Sequence, residues 1–183
     1  MNMESSSQST IFHQRQKWLR CGLHAVNNVL QDDVASPRQF QVIAASHAAI
    51  AGKGPILFRL GLGDYDGNTV IEFLQSRAFC QVEFIDRRCA AKAIHEQLSA
   101  TRGLKGFLLN VKGRNAWIPS FIYSCRHWYA VVRVNSDDWY VIDSSKKDVE
   151  KVDNIQSFLQ SIQEDESLEA NLIAVRGGST SSS

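Results

Sequence analysis

Apolar positions recur at helical spacing soon after the start of the chain: Leu23, Val26, Val29 and Leu30 fall on one face, which predicts a helix from at or just before Cys21 to Gln31. Ser36-Pro37-Arg38-Gln39 marks a second helix start. Ser can cap, Pro fits the first helical position, and Gln three residues on closes a capping box. Phe40, Ile43, Ala44 and His47 then share a face, and Gly52-Lys53-Gly54-Pro55 ends the run. These two pieces are expected to pair as a short helical hairpin. After a glycine-rich loop from Gly61 to Gly67, Asn68 is placed to cap a helix carrying Val70, Phe73 and Leu74. Residues 90–99 read as helical with Ile94 and Leu98 one turn apart, and Asp153 is placed to cap a last helix bearing Ile155, Phe158, Leu159 and Ile162.

The strand signals differ in kind. Cys80, Val82 and Phe84 alternate with Gln81 and Glu83, as in a strand with one buried face. Gly106 to Val111 is nearly all apolar, as a strand buried on both faces is. Residues 127–134 and 139–143 form the clearest pair, with the polar run Asn135-Ser136-Asp137-Asp138 as their turn. Residues 171–176 make a last strand, and Ile11 to Gln14 a short first one. Five or six strands and five helices in mixed order predict an α+β domain with a central antiparallel sheet flanked by helices. The domain is expected over residues 11–176, between a disordered tail at 1–10 and a flexible one at 177–183, with a loop from Arg114 to Tyr123 inside it.

At 183 residues the chain fits one domain and can bury a core without disulfides or metals. Twenty basic against nineteen acidic residues leave a net charge of +1, which gives no general pull towards nucleic acid. No apolar run is long enough to span a bilayer. Met1 to Thr10 is polar and Ser-rich without the charged-then-apolar order of a secretory signal, so an intracellular location, cytoplasmic and also nuclear, is expected. Cys21, Cys80, Cys89 and Cys125 are irregularly spaced and form no CxxC pair, which argues against a zinc site or a thioredoxin-like site. The sequence carries no signal for an oligomeric state.

Candidate chemistry starts at Cys21, where a polar segment becomes a helix. A thiol at a helix N-terminus feels the positive end of the dipole, which favours the reactive thiolate. A small buried cysteine would fit the position as well. His127 opens a strand and Asp143 ends its neighbour. A nucleophilic thiol needs a base for its proton, and that base needs a third group to hold its tautomer. Both residues are odd-numbered, so they share a sheet face only if the hairpin loop is odd or bulged. With a three-residue loop Asp143 would face Tyr129 and be the diagonal neighbour of His127. Gln16, five residues before Cys21, is placed to offer amide hydrogens to an oxyanion.

Ile11-Phe12-His13-Gln14-Arg15-Gln16 followed by Cys21-Gly22-Leu23-His24-Ala25-Val26-Asn27-Asn28-Val29-Leu30-Gln31 resembles the opening signature of the Josephin family. Gly63-Asp64-Tyr65-Asp66-Gly67-Asn68, His127-Trp128 and Tyr140-Val141-Ile142-Asp143-Ser144 are similar to its later blocks, in the same order. The resemblance runs from about Ile11 to Val175, and it is to the short, stand-alone members. It departs at Gln14, where the family more often has Glu, and at Gly22, where Ala is common. The resemblance implies a papain-like cysteine peptidase fold and a deubiquitinase that needs no cofactor. It implies Cys21 as nucleophile, His127 as general base and acid, Asp143 as the orienting residue and Gln16 as the oxyanion donor. Ubiquitin, ubiquitinated proteins and polyubiquitin chains are the implied partners, with the ubiquitin tail threaded between the Cys21 helix and the His127 strand.

Other residues have blander readings. His24, one turn after Cys21, reads as a packing or hydrogen-bonding residue rather than the base. Cys125 and His127 would share a strand face, but two ligands do not make a metal site. Arg15, Lys17 and Arg20 read as a solvated basic loop. Trp128, beside the base, is open between lining the cleft, as a substrate-binding residue, and filling the core. Two other functions stay open: a ubiquitin-binding module with little turnover, and a papain-like enzyme acting on another ubiquitin-like tag or transferring acyl groups.

Overall fold

Residues 10–18, 20–51, 65–100, 102–112, 126–135 and 138–178 are described by the computed structural model. The glycine-rich loop before Tyr65, the Arg114–Tyr123 loop, Cys125 and residues 1–9 and 179–183 of the two tails lie outside them. The helices are α1 (Cys21–Leu30), α2 (Pro37–Ala51), α3 (Gly67–Ser76), α4 (Ala90–Ser99) and α5 (Ile155–Glu164). The strands are β1 (Cys80–Ile85), β2 (Leu104–Lys112), β3 (Arg126–Arg133), β4 (Trp139–Ile142), β5 (Glu150–Val152) and β6 (Asn171–Gly177). They form one sheet in the order β1-β6-β2-β3-β4-β5, and every pairing is antiparallel. This is the expected α+β architecture. No helix among the described residues is long and apolar enough to cross a membrane.

The sheet carries an apolar core on each face. Alternation along β2 assigns the sides: Leu108 joins the α1, α2 and α3 side with Leu23, Phe40, Phe73 and Ile173, whereas Phe107 and Leu109 join the α4 and α5 side with Ile94, Leu159 and Leu172. Residues 106–111 of β2 are buried throughout, as the nearly all-apolar run requires of a central strand. Gly106 sits at a register shift, where a Cβ would lie 2.3 Å from the Val131 carbonyl oxygen. Only glycine admits so close a strand contact.

Ser36 and Gln39 form the anticipated capping box: Ser36 N donates to Gln39 Oε1 at 2.9 Å, and Gln39 N to Ser36 Oγ at 3.5 Å. Among the described residues the helical partner of α2 is α3, through Phe40 on Phe73 and a contact of His47 with Glu72, rather than α1. Two caps differ from expectation by one or two residues. Asp66, not Asn68, caps α3, its Oδ1 accepting from Thr69 N and Thr69 Oγ1, both at 2.8 Å. Asn154, not Asp153, caps α5, accepting from Ser157 N at 2.9 Å. Asn and Asp cap about equally well, so adjacent candidates are not separated by type.

The expected strand at Ile11 to Gln14 is not a strand. Its backbone partners are the amide side chains of Asn28 in α1 and of Gln31, the residue that caps α1. Phe12 N donates to Gln31 Oε1 at 3.0 Å and Phe12 O accepts from Gln31 Nε2 at 3.2 Å. Gln14 N donates to Asn28 Oδ1 at 2.7 Å and Gln14 O accepts from Asn28 Nδ2 at 3.3 Å. Primary amides present the same donor and acceptor pair as a peptide group, so two of them stand in for a neighbouring strand.

Candidate active site

Cys21 is the first residue of α1, where the helix leaves its first N–H groups without internal partners. α1 lies on β3, and the half-buried Sγ stands 4.0 Å from the Arg126 carbonyl oxygen. His127 is the second residue of β3. Register pairs Ala130 with Ile142 and Arg133 with Trp139, and Val134 N donates to Asp138 O across the turn at 2.8 Å. The hairpin loop therefore has three residues, the odd length that puts both odd-numbered side chains on one face. Asp143, the residue after β4, reaches diagonally to His127: Nε2 lies 2.8 Å from Asp143 Oδ1. The Cys21 thiol is the ring's other electrostatic neighbour.

The charges follow from these contacts. Burial opposes a charged His127, yet the Asp143 carboxylate and Cys21 outweigh it and push the imidazole up to about 10. Burial would likewise raise Asp143, but His127 and Ser145 hold it down at about 2. Ser145 donates to Asp143 Oδ1 through both N, at 2.9 Å, and Oγ, at 2.7 Å. Tyr129 stacks along His127 with ring centroids 6.3 Å apart, and burial first, then the Asp143 charge, raises its phenol above the usual range. This corner suits a cationic imidazole.

Gln16 reaches the same place from the other side. Its N donates to Ser144 O at 2.7 Å, Ser144 Oγ donates to its Oε1 at 3.3 Å, and its Nε2 donates to Trp18 O at 2.8 Å. An amide nitrogen carries two hydrogens, so one remains for a ligand. The Phe12–Lys17 segment is clamped by the polar face of α1. His24, buried and held below the ordinary histidine range by that burial, is neutral: Nδ1 donates to Gln14 Oε1 at 2.7 Å and Nε2 accepts from Lys17 N at 3.1 Å. Asn27, fully buried, donates to Gln14 Oε1 at 2.8 Å and to Ala35 O at 3.0 Å, and accepts from Ala35 N at 2.7 Å. His24 thus has the structural hydrogen-bonding role its place suggested.

Trp128 packs in the core and also borders a groove. Only 4% exposed, its indole lies between the N-termini of α1 and α3. A Cβ on Gly22 would stand 3.1 Å from Val70 Cγ2 and 3.4 Å from Trp128 Cδ1, while one on Gly67 would stand 3.8 Å from Trp128 Cζ2. It also lines a groove of about 380 Å³ with Asp66, Asn68, Phe84, Asn110 and Arg126. That groove adjoins Cys21 through Arg126.

The structure thus brings Cys21, His127, Asp143 and Gln16 to one corner, with Trp128 in the adjoining wall. Ser145, Tyr129 and His13, whose Nε2 lies 3.2 Å from the Asp143 carbonyl oxygen, belong to the same corner without having been singled out as site residues. Ser145 did carry a signal: Asp followed two residues on by Ser is an Asx-turn pattern.

The family model for Josephin matches residues 59–170, which include His127 and Asp143 but not the Cys21 helix. A Josephin-like protein of Drosophila melanogaster is 30% identical over 154 residues, 82% of this chain and 66% of the relative. Josephin-2 of Homo sapiens is 30% identical over 157 residues, 84% and 80% of the two chains. A Josephin-like protein of Arabidopsis thaliana is 29% identical over 151 residues, 76% of this chain and 40% of its own length.

Proposed function

The chain belongs to the Josephin family, with its papain-like cysteine peptidase fold, and from that premise we propose that it is a thiol-dependent deubiquitinase. Its substrate is the (iso)peptide bond after the C-terminal glycine of ubiquitin, in ubiquitinated proteins or polyubiquitin chains. The observation that carries the reading is the 2.8 Å contact of His127 with Asp143, with Cys21 as the imidazole's other partner at a helix N-terminus.

In this reading the Cys21 thiolate adds to the glycine carbonyl, and the oxyanion takes the free N–H of Gln16 Nε2 and the backbone N–H of Cys21. His127 gives its proton to the leaving amine as the C–N bond breaks, which leaves a thioester. Water then attacks, His127 takes its proton, and the Cys21 thiolate departs. Asp143 holds the imidazole in orientation throughout. The ubiquitin tail takes the groove beside Trp128 and Arg126. The same proposal places the chain in the reducing interior of the cell, where the thiol stays free.

The test is reaction with ubiquitin carrying a C-terminal electrophile, beside Cys21→Ala and Cys125→Ala. The expected result is an adduct lost only with Cys21→Ala. A folded wild-type chain that binds ubiquitin but forms no adduct would overturn the hydrolase reading in favour of a binding module.

A further inference from the structure

Trp18 stands 68% exposed between Gln16 and Cys21. Its backbone is left-handed, at φ 62°, a conformation that side chains other than glycine's adopt at a cost and that clusters at functional sites. The strained turn is held by the Gln16 amide, which donates to the Trp18 carbonyl. Apolar exposure and backbone strain thus coincide beside the nucleophile. Neither benefits the isolated fold.

We propose that Trp18 is a specificity-determining residue that packs against the leaving-group protein, the one whose lysine is released. This rests on the deubiquitinase reading above. The groove lies on one side of His127, bounded by residues of β2, β6 and β1: Asn110, Ile173 and Phe84. Gln16 lies on the other side, fastened to Ser144 just beyond β4. Two residues span at most about 7 Å, so Trp18 belongs to that second side. A carbonyl under attack has its acyl chain and its leaving amine in different directions. With the ubiquitin tail in the groove, the leaving protein emerges past His127 on the Trp18 side. A tryptophan there offers a large, rigid contact at low entropic cost. Because one Gln16 amide both holds the Trp18 turn and faces the oxyanion, contact at the indole also steadies the oxyanion donor.

The test compares two substrates on the full chain: ubiquitin with an aminocoumarin leaving group, and ubiquitin joined through an isopeptide bond to a lysine of a second ubiquitin. Trp18→Gly removes the ring while glycine keeps the left-handed turn, and Trp18→Phe keeps an aromatic. The expected result is a fall of about tenfold in the ratio of isopeptide to aminocoumarin kcat/KM with Trp18→Gly, the size of a lost aromatic contact, most of it regained in Trp18→Phe. An equal fall on both substrates would overturn the assignment and make Trp18 a support for Gln16 alone. An unchanged ratio with unchanged rates would overturn it as well, as would a wild type that releases aminocoumarin but leaves the isopeptide intact. A wild type that cleaves neither would instead overturn the deubiquitinase reading, and the assignment with it.

Discussion

His127 and Asp143 are diagonal neighbours across the β3–β4 hairpin, 2.8 Å apart, and a three-residue turn is what lets them meet. An even loop would put them on opposite faces of the sheet. Turn length is therefore part of the site's chemistry.

The pair sets a pH window. His127 is raised from 6.5 to about 10, so its contribution to stability is full below pH 6.5 and is lost as pH rises through about 10. Asp143 is lowered from 3.8 to about 2, so its contribution is full above 3.8 and is lost as pH falls through about 2. The rate of labelling by the ubiquitin electrophile is expected to hold well above pH 6.5 before it falls. Asp143→Asn should keep the orientation but move that alkaline limb down, and Asp143→Ala should lower kcat/KM by about a hundredfold or more. A limb unmoved by Asp143→Asn would show that the carboxylate charge does not set it.

Gln16→Ala removes an oxyanion donor that is pre-positioned by Ser144. The expected loss is about a hundred- to a thousandfold in kcat, with little change in KM. Steady-state kinetics on ubiquitin-aminocoumarin separates the two. A loss confined to KM would make Gln16 a binding residue instead.

Asn27 is fully buried and serves Ala35 and Gln14 together. Asn27→Ala orphans the Ala35 N–H and frees the segment that carries Gln16. Urea unfolding should show a loss of about 3 kcal/mol, as expected when buried polar groups lose partners.

Gly106→Ala would force a methyl to within 2.3 Å of the Val131 carbonyl oxygen, in the strand next to His127. Thermal unfolding should report a loss of about 3 kcal/mol, the upper end for overpacking. A near-neutral result would mean that the β2 bulge can be absorbed by its neighbours.

Much of the fold was legible because its elements have strong local periods. α4 begins and ends at the residues its pattern marks, and β2 reads as central from its nearly all-apolar run. β5 has no such signal: it is three residues long, and only Val152 is buried. The Ile11–Gln14 segment has strand-like composition, but its partners are side chains from a helix, which no local pattern encodes. Cys21, His127, Asp143 and Gln16 were readable from residue type, spacing and family resemblance together. Ser145 needed a turn pattern, and Trp18 needed its backbone angle and exposure, which are tertiary facts.

β6 comes last of the six strands in the chain, yet it lies inside the sheet, paired to β1 on one edge and β2 on the other. During synthesis, β1 and β2 emerge with a gap between them that only the last strand can fill. The sheet beneath the nucleophile helix therefore closes only once translation has passed Gly177, so a ribosome-bound fragment holds a thiol on an unfinished platform. The arrangement delays assembly of the whole sheet until β6 has been made, as pairings distant in sequence do generally.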